Sequence, residues 1–114
     1  MLEKLEKIVE AIENKKGEEI IILDFEGKNS LCDYTIICTG SSNRNIRAIS
    51  EEVEVKLRGL DQTKLHIEGQ DEAHWVLIDG DDVIIHVLDQ KTRDLYRLEE
   101  LWGDANVVYP RLDA

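Results

Sequence analysis

The tripeptide Gly40-Ser41-Ser42 lies between a predicted strand and a predicted helix, where a protein can hold a phosphate group. The backbone N–H groups of such a turn and the positive end of the helix dipole both favour an anion. A nucleotidyltransferase would also need an Asp-x-Asp pair on the next strand to hold its metal ions. The residues after Ser42 are instead NRNIRAISEEVE, which we predict to form a helix. We therefore expect the serines to cap this helix and to play no part in catalysis.

The imidazoles of His66, His74 and His86 lie in a segment with several aspartates, so nitrogen and oxygen ligands for a metal are available. No His-x-x-x-His pair places two of these ligands on one element. Histidines that only form hydrogen bonds are the commoner case, and we expect neither an essential metal nor a cofactor.

Nucleophilic chemistry has little support in the sequence. The Gly-x-Ser-x-Gly motif of hydrolases is absent, and Cys32 and Cys38 match neither a C-x-x-C redox motif nor a metal knuckle. Cys38 falls in an apolar strand, where burial raises the pKa of a thiol. We expect unpaired thiols in a reducing cytoplasm and no enzymatic activity.

Apolar periodicity predicts the elements that position these residues. A helix with an apolar stripe precedes Gly17, and a second helix runs from the serines to Gly59. Its stripe consists of Ile46, Ile49, Val53 and Leu57. Two short strands rich in β-branched residues, at 20–25 and 34–39, are expected to be central strands covered on both faces.

The second half of the chain predicts a hairpin followed by a helix. Residues 64–67 are a weak strand candidate, and 75–79 and 83–88 flank an Asp-Gly turn signal. Asp89 is placed to cap a third helix, made of one or two short pieces that end before Gly103. The fold class is therefore α/β, with a mixed five-stranded sheet flanked by helices. We assign residues 1–103 to a single domain and residues 104–114 to a C-terminal tail.

Charge limits the classes of partner. The chain has 14 basic and 25 acidic residues among 114, a net charge of −11, which disfavours direct, sequence-specific binding of nucleic acids. Between residues 65 and 90 there is no Lys or Arg and there are seven acidic residues, so this segment either faces a basic partner or is simply solvated. No apolar stretch approaches the ~20 residues that span a bilayer, and we expect no membrane association.

Two long stretches, at 23–57 and 68–105, resemble the Iojap-like, or ribosomal silencing factor, family. The most specific pieces are Ser30-Leu31-Cys32-Asp33-Tyr34, Thr39-Gly40-Ser41-Ser42 with Arg44, Glu68-Gly69, Trp75, His86-Val87, Arg93-Asp94-Leu95-Tyr96 and Leu101-Trp102-Gly103. The resemblance implies a degenerate fold similar to nucleotidyltransferases, without their catalytic carboxylates. It also implies binding to the large ribosomal subunit through ribosomal large-subunit protein fourteen, which sterically blocks joining of the small subunit and represses translation.

The resemblance directs attention to five residues that we expect to lie on or support the ribosomal-protein interface: Trp75, His86, Arg93, Tyr96 and Trp102. Trp75, which we expect on an edge strand, is the best candidate for a binding hot spot. The alternative for several of these residues is a place in the core. Family members often self-associate, so a homodimer is also implied.

The sequence departs from the family pattern at the predicted hairpin tip, Asp79-Gly80-Asp81-Asp82, where glycine replaces a bulky residue. Glycine at this position favours a tight turn. The rival function is a small nucleotide-binding or nucleotidyltransferase-like enzyme. It would use the turn at Ser41 with Asp79, Asp81 or Asp82 as metal ligands.

Overall fold

Six strands form one mixed sheet in the computed structural model, which describes residues 2–27, 32–60, 64–101 and 106–109. Along the chain the elements are α1 (Leu2–Asn14), β1 (Glu18–Asp24), β2 (Tyr34–Thr39), α2 (Asn43–Gly59), β3 (His66–Glu68), β4 (Trp75–Asp79), β5 (Val83–Leu88), α3 (Gln90–Tyr96), α4 (Leu98–Leu101) and β6 (Asn106–Tyr109). Strands β2, β4 and β5 have the bounds predicted from the sequence, and the predicted third helix is divided into α3 and α4.

The order of strands in the sheet is β3-β4-β5-β2-β1-β6. Strands β2 and β5 pair in parallel, and all other neighbours are antiparallel. Helix α2 leaves the end of β2 and crosses one face of the sheet before β3, which is why the chain can return with a parallel strand. The α/β class and the β4–β5 hairpin are confirmed.

The predicted count of five strands is wrong by one. Residues 106–109, which fall in the predicted tail, form β6 and pair with β1, so that Leu23 lies opposite Val107. The segment Asn-Val-Val-Tyr is too short to show a period, but its β-branched and aromatic residues suit a strand. Pairing with β6 covers what would otherwise be the open edge of β1.

One face of the sheet is covered by α1 and α2 and forms the main core. Its members share almost complete burial and include Ile8, Ile12, Ile46, Ile49, Val53, Leu57, Ile36, Cys38, Val76, Ile78, Val83, Ile85 and Val87. The four stripe residues predicted for α2 are all fully buried here. Helix α2 begins after Ser42, whose side-chain oxygen accepts a hydrogen bond from the N–H of Asn45 at 3.0 Å. The predicted capping role is therefore confirmed.

The other face of the sheet is covered less completely, by short elements. A second-face cluster consists of Leu23, Phe25, Cys32, Ile37, Leu88 and Leu98. Ile21, Trp75 and Ile84 pack against it and remain partly exposed. Strand β2 is buried on both faces except at Tyr34, whereas β1 has exposed and half-buried residues, so the expectation of two covered faces holds for β2 and only in part for β1.

The hairpin tip differs from the prediction in one detail. The residue with left-handed backbone is Asp81, with φ of 76°, whereas Gly80 has no positive φ. Gly80 is instead buried, and its N–H donates to the carbonyl oxygen of Val83 at 2.9 Å. Lys4 of α1 pairs with Asp82 at 2.5 Å and connects the tip to the face of the sheet that α1 and α2 cover.

Across the described part of the chain, the helices are too short or too polar to cross a membrane.

Candidate protein-binding surface

Three of the five predicted interface residues meet on the second face of the sheet, in what we call the Trp75 cluster: Trp75, His86 and Tyr96. The ring centroids of Trp75 and Tyr96 are 5.1 Å apart with planes tilted by 50°, and those of Trp75 and His86 are 5.9 Å apart with a tilt of 51°. Both arrangements lie within the range that aromatic pairs favour. Trp75 is partly buried, Tyr96 is 54% exposed and His86 is 6% exposed. The cluster therefore presents Trp75 and Tyr96 to solvent, above a buried histidine.

Strand pairing brings these side chains together. In the β4–β5 register Trp75 lies opposite Leu88 and Leu77 lies opposite His86, so Trp75 and His86 are diagonal neighbours on one face. The expectation that Trp75 lies on an edge strand is wrong, because the weak candidate β3 pairs with β4 along residues 77–79. Trp75 itself precedes the paired stretch, which leaves its end of β4 beside a loop.

Arg93 is buried and attaches α3 to the sheet. Only 4% exposed, it donates from Nη1 to the carbonyl oxygen of Glu19 at 2.7 Å and to Oγ1 of Thr39 at 2.8 Å. Glu19 lies at an irregularity in the β1–β2 register and has a left-handed backbone with φ of 51°. Because these bonds join α3 to β1 and β2, they hold Tyr96, one turn further along α3, against Trp75.

A turn at residues 69–72, which we call the acidic turn, borders the Trp75 cluster. Gly69 has φ of +90°, and a Cβ atom there would collide with the carbonyl oxygen of Trp75, so glycine is required by both conformation and space. Arg47 of α2 donates to the carbonyl oxygens of Gln70 at 3.0 Å and Asp71 at 2.6 Å. A cleft of about 350 Å³ separates the acidic turn from Trp75. The turn is thus held in place beside the aromatic side chain.

The seven acidic residues between residues 65 and 90 lie at two opposite ends of strands β4 and β5. Glu68, Asp71, Glu72 and Asp89 lie at the end of β4 and β5 that carries Trp75, whereas Asp79, Asp81 and Asp82 lie at the hairpin tip. Asp89 accepts a hydrogen bond from the N–H of Thr92 at 2.7 Å and caps α3, as predicted. The stretch that is continuous in sequence is therefore two separate acidic surfaces, of which one borders the Trp75 cluster.

The two parts of the rival nucleotide site, the turn at Ser41 and the aspartates of the hairpin tip, also lie at opposite ends of the sheet. Gly40 donates its N–H to the carbonyl oxygen of Leu88, so the Ser41–Ser42 turn lies at the end of β5 opposite the hairpin tip. The length of β5 puts the two regions roughly 17 Å apart at ~3.3 Å per residue. The N–H of Ser41 is also bonded to the side-chain oxygen of Asn45 at 2.9 Å. The turn and the aspartates that the rival function requires do not form one site.

The histidines have separate partners. His66 contacts Glu68 at 2.8 Å, His74 contacts Asp89 at 3.1 Å and His86 contacts Trp75 at 3.1 Å. Within residues 2–27, 32–60, 64–101 and 106–109, no three His, Cys, Asp or Glu side chains gather as metal ligands. Burial lowers the pKa of His86 to about 4 and raises the pKa of the fully buried Cys38 to about 12. The prediction of Cys38 as a core residue is confirmed.

Comparisons with known proteins decide the family. A family model described as "Ribosomal silencing factor during starvation" matches residues 1–114. The chain belongs to the ribosomal silencing factor family. It is 42% identical over 97 residues to "Ribosomal silencing factor RsfS" of Bacillus subtilis, which covers 83% of this chain and 80% of the relative. The protein of the same name from Halalkalibacterium halodurans is 38% identical over 108 residues, with 93% and 91% covered.

A solved structure of the same fold supports this membership. The crystal structure of a Chromobacterium violaceum protein superposes with a TM-score of 0.85 and 39% identity, covering 90% of this chain and 85% of the other. The residues through which the sequence resembles the ribosomal silencing factor family have identifiable structural roles. Gly69 allows the acidic turn to approach Trp75, and Arg93 attaches α3 to the sheet.

Sequence reasoning missed several residues of this surface. Arg47 was given no role from the sequence, and its bonds to the acidic turn are recognisable only once the turn lies beside α2. Leu77 and Ile84, which were given no role from the sequence, are partly exposed on the same face as the Trp75 cluster. Trp102, the fifth predicted interface residue, lies outside the described residues.

Proposed function

We propose that this chain is a ribosomal silencing factor that binds the large ribosomal subunit through ribosomal large-subunit protein fourteen. Binding there sterically blocks joining of the small subunit and represses translation, without catalysis and without a cofactor. Membership of the ribosomal silencing factor family supports the proposal. The observation that carries it is the Trp75 cluster, a partly exposed aromatic surface bordered by the exposed carboxylates of the acidic turn.

The composition of this surface fits a basic protein partner. Aromatic side chains that are held in place are common anchors of protein interfaces, because they bury much area with few torsions to order. The carboxylates of Asp71 and Glu72 are exposed and add negative charge at the rim. Ribosomal proteins are basic and surrounded by RNA, so an acidic protein is attracted to the protein and repelled by the phosphates. Charge thus favours a protein contact over an RNA contact.

Co-sedimentation of the purified protein with isolated large subunits at physiological salt tests the proposal. We expect saturable binding to large subunits, no binding to small subunits, and less joining when small subunits are added to the loaded large subunits. Absence of binding to large subunits at this salt concentration contradicts the proposal. Binding to purified ribosomal protein fourteen tests the named contact separately, because its failure removes that contact and leaves subunit binding in place.

We further propose that the protein acts in the cytoplasm and self-associates as a homodimer. The unpaired, buried thiols of Cys32 and Cys38 fit a reducing compartment. Light scattering of the purified protein measures the oligomeric state, and a monomer mass contradicts the dimer. Likeness to a nucleotidyltransferase fold, and the division into a domain of residues 1–103 and a tail of 104–114, stay predictions. Calorimetry with ATP, GTP or CTP and magnesium tests the absence of a nucleotide site.

A further inference from the structure

The indole N–H of Trp75 has a defined acceptor beneath it. Nε1 of Trp75 donates to Nδ1 of His86 at 3.1 Å. Because an indole nitrogen can only donate, Nδ1 of His86 must carry a lone pair, and the neutral imidazole must hold its proton on Nε2. This bond therefore exists only with the neutral form of His86, in one tautomer.

The surroundings of His86 favour that form and keep it away from any partner. Burial lowers the pKa of His86 to about 4, so the ring is neutral at physiological pH. His86 is only 6% exposed, it bonds to Trp75, and Leu77 lies opposite it in the register of the neighbouring strand. A protein that docks on this face therefore meets Trp75 and Tyr96 and does not reach His86.

We propose that His86 is a positioning residue, which fixes the orientation in which the Trp75 indole meets the ribosomal partner. The proposal rests on the proposed function, in which Trp75 contacts the large subunit. Tyr96 packs against the indole at 5.1 Å but provides no directional bond to it, whereas the bond to His86 selects one rotation of the ring. An anchor that is already oriented loses less freedom on binding. Loss of the bond should therefore weaken binding without removing any contact to the partner.

The test compares His86→Leu, which keeps an apolar side chain but no acceptor, with His86→Gln, whose amide oxygen can accept the same proton. In wild type and in His86→Gln we expect a slowly exchanging indole N–H resonance of Trp75 and similar affinity for isolated large subunits. In His86→Leu the N–H should exchange faster, and affinity should fall roughly threefold to tenfold. Ile85→Val is the matched control, since it alters a buried residue of β5 on the opposite face. It should lower stability and leave both readouts unchanged.

A double-mutant cycle with Trp75→Phe distinguishes positioning from a general effect on the fold. Trp75→Phe removes the same bond from the other side, so His86→Leu should cause no further loss of affinity in the Trp75→Phe background. An equal loss in both backgrounds overturns the inference, as does wild-type affinity of His86→Leu with a freely exchanging indole.

Three further results also test the inference. If His86→Leu does not fold, Trp75→Phe alone must weaken binding at least threefold, and unchanged affinity overturns the inference. If the wild-type protein does not bind large subunits, the proposed function fails, and the role of His86 in recognition fails with it. Binding by the wild type with no difference between His86→Leu and His86→Gln overturns only the inference.

Discussion

At the scale of single residues, Trp75 contributes to both binding and stability. Its ring is partly exposed beside the acidic turn and also packs against the second-face cluster. We predict that Trp75→Ala weakens binding to large subunits by about 2 kcal/mol, roughly thirtyfold. The unfolding free energy of this variant should be about 1–3 kcal/mol lower than that of the wild type. This loss is smaller than the loss on truncation of a fully buried aromatic residue, because Trp75 is only partly buried. Sedimentation and urea denaturation measure the two effects.

Val55→Ala is the control for Trp75→Ala, because Val55 is 62% exposed on α2 and lies outside both apolar clusters. It should change neither quantity by more than about 0.5 kcal/mol. A folded Trp75→Ala variant with wild-type affinity would remove Trp75 from the binding surface and leave Tyr96 as the exposed member of the cluster to test.

His86 makes stability depend on pH. Its pKa is about 4 in the folded protein, against about 6.5 for an unperturbed histidine, because burial disfavours the charged ring. The unfolded chain therefore binds more protons between these values, and stability falls as pH decreases from about 6.5 to 4, by up to ~3 kcal/mol from this residue. His86→Gln lacks this titration. The difference in unfolding free energy between wild type and His86→Gln should narrow on acidification, whereas a constant difference would contradict the pKa.

At the scale of elements, attachment of α3 depends on Arg93. We predict that Arg93→Met lowers the unfolding free energy by about 2–4 kcal/mol, because the carbonyl of Glu19 and the hydroxyl of Thr39 lose a charged donor in a buried place. Binding to large subunits should weaken as well, since Tyr96 is no longer held against Trp75. Urea denaturation and sedimentation measure both.

Lys91→Met provides the comparison for Arg93→Met within the same helix. Lys91 is exposed, so its replacement should be nearly neutral for stability and binding. Equal effects of the two substitutions would mean that the interior bonds of Arg93 do not hold α3 on the sheet.

At the scale of the whole molecule, β6 completes the sheet. We predict that shortening the chain to residues 1–103 lowers the unfolding free energy by about 1–3 kcal/mol, because β1 loses its antiparallel partner and becomes an open edge. Removal of residues 110–114 alone, which leaves β6 intact, is the control and should have little effect. A 1–103 chain as stable as the full chain would instead support the predicted domain boundary at residue 103.

The net charge of −11 predicts that recognition depends on salt. Attraction between the acidic turn and a basic ribosomal protein is screened as ions are added, so affinity for large subunits should fall severalfold between ionic strengths of about 0.05 and 0.3 M. The factor lost in Trp75→Ala should be nearly the same at both ionic strengths, because it reflects apolar contact. Affinity that does not change with salt would contradict a charge-guided contact.

The sequence by itself determined the elements and the family. Helices α1 and α2 and strands β2, β4 and β5 were predictable because their apolar residues repeat with a period that the local backbone imposes, and because Ser42, Asp89 and the hairpin signal act over a few residues. The same local rules identified Cys38 as a core residue. Resemblance over two long stretches indicated the ribosomal silencing factor family, which the family model confirms.

Only the tertiary structure decided which of the suggested residues form a surface. His86 lies in the interior because of the register of β5, and Arg93 because of the bonds that it makes from α3 to the sheet. The sequence alone does not show whether a polar residue points inward or outward. Register also divided the acidic segment between two ends of the sheet. The sixth strand escaped prediction because four residues acquire strand structure from the edge of β1 and not from their own pattern. These outcomes depend on contacts between residues far apart in the chain, which local periodicity does not encode.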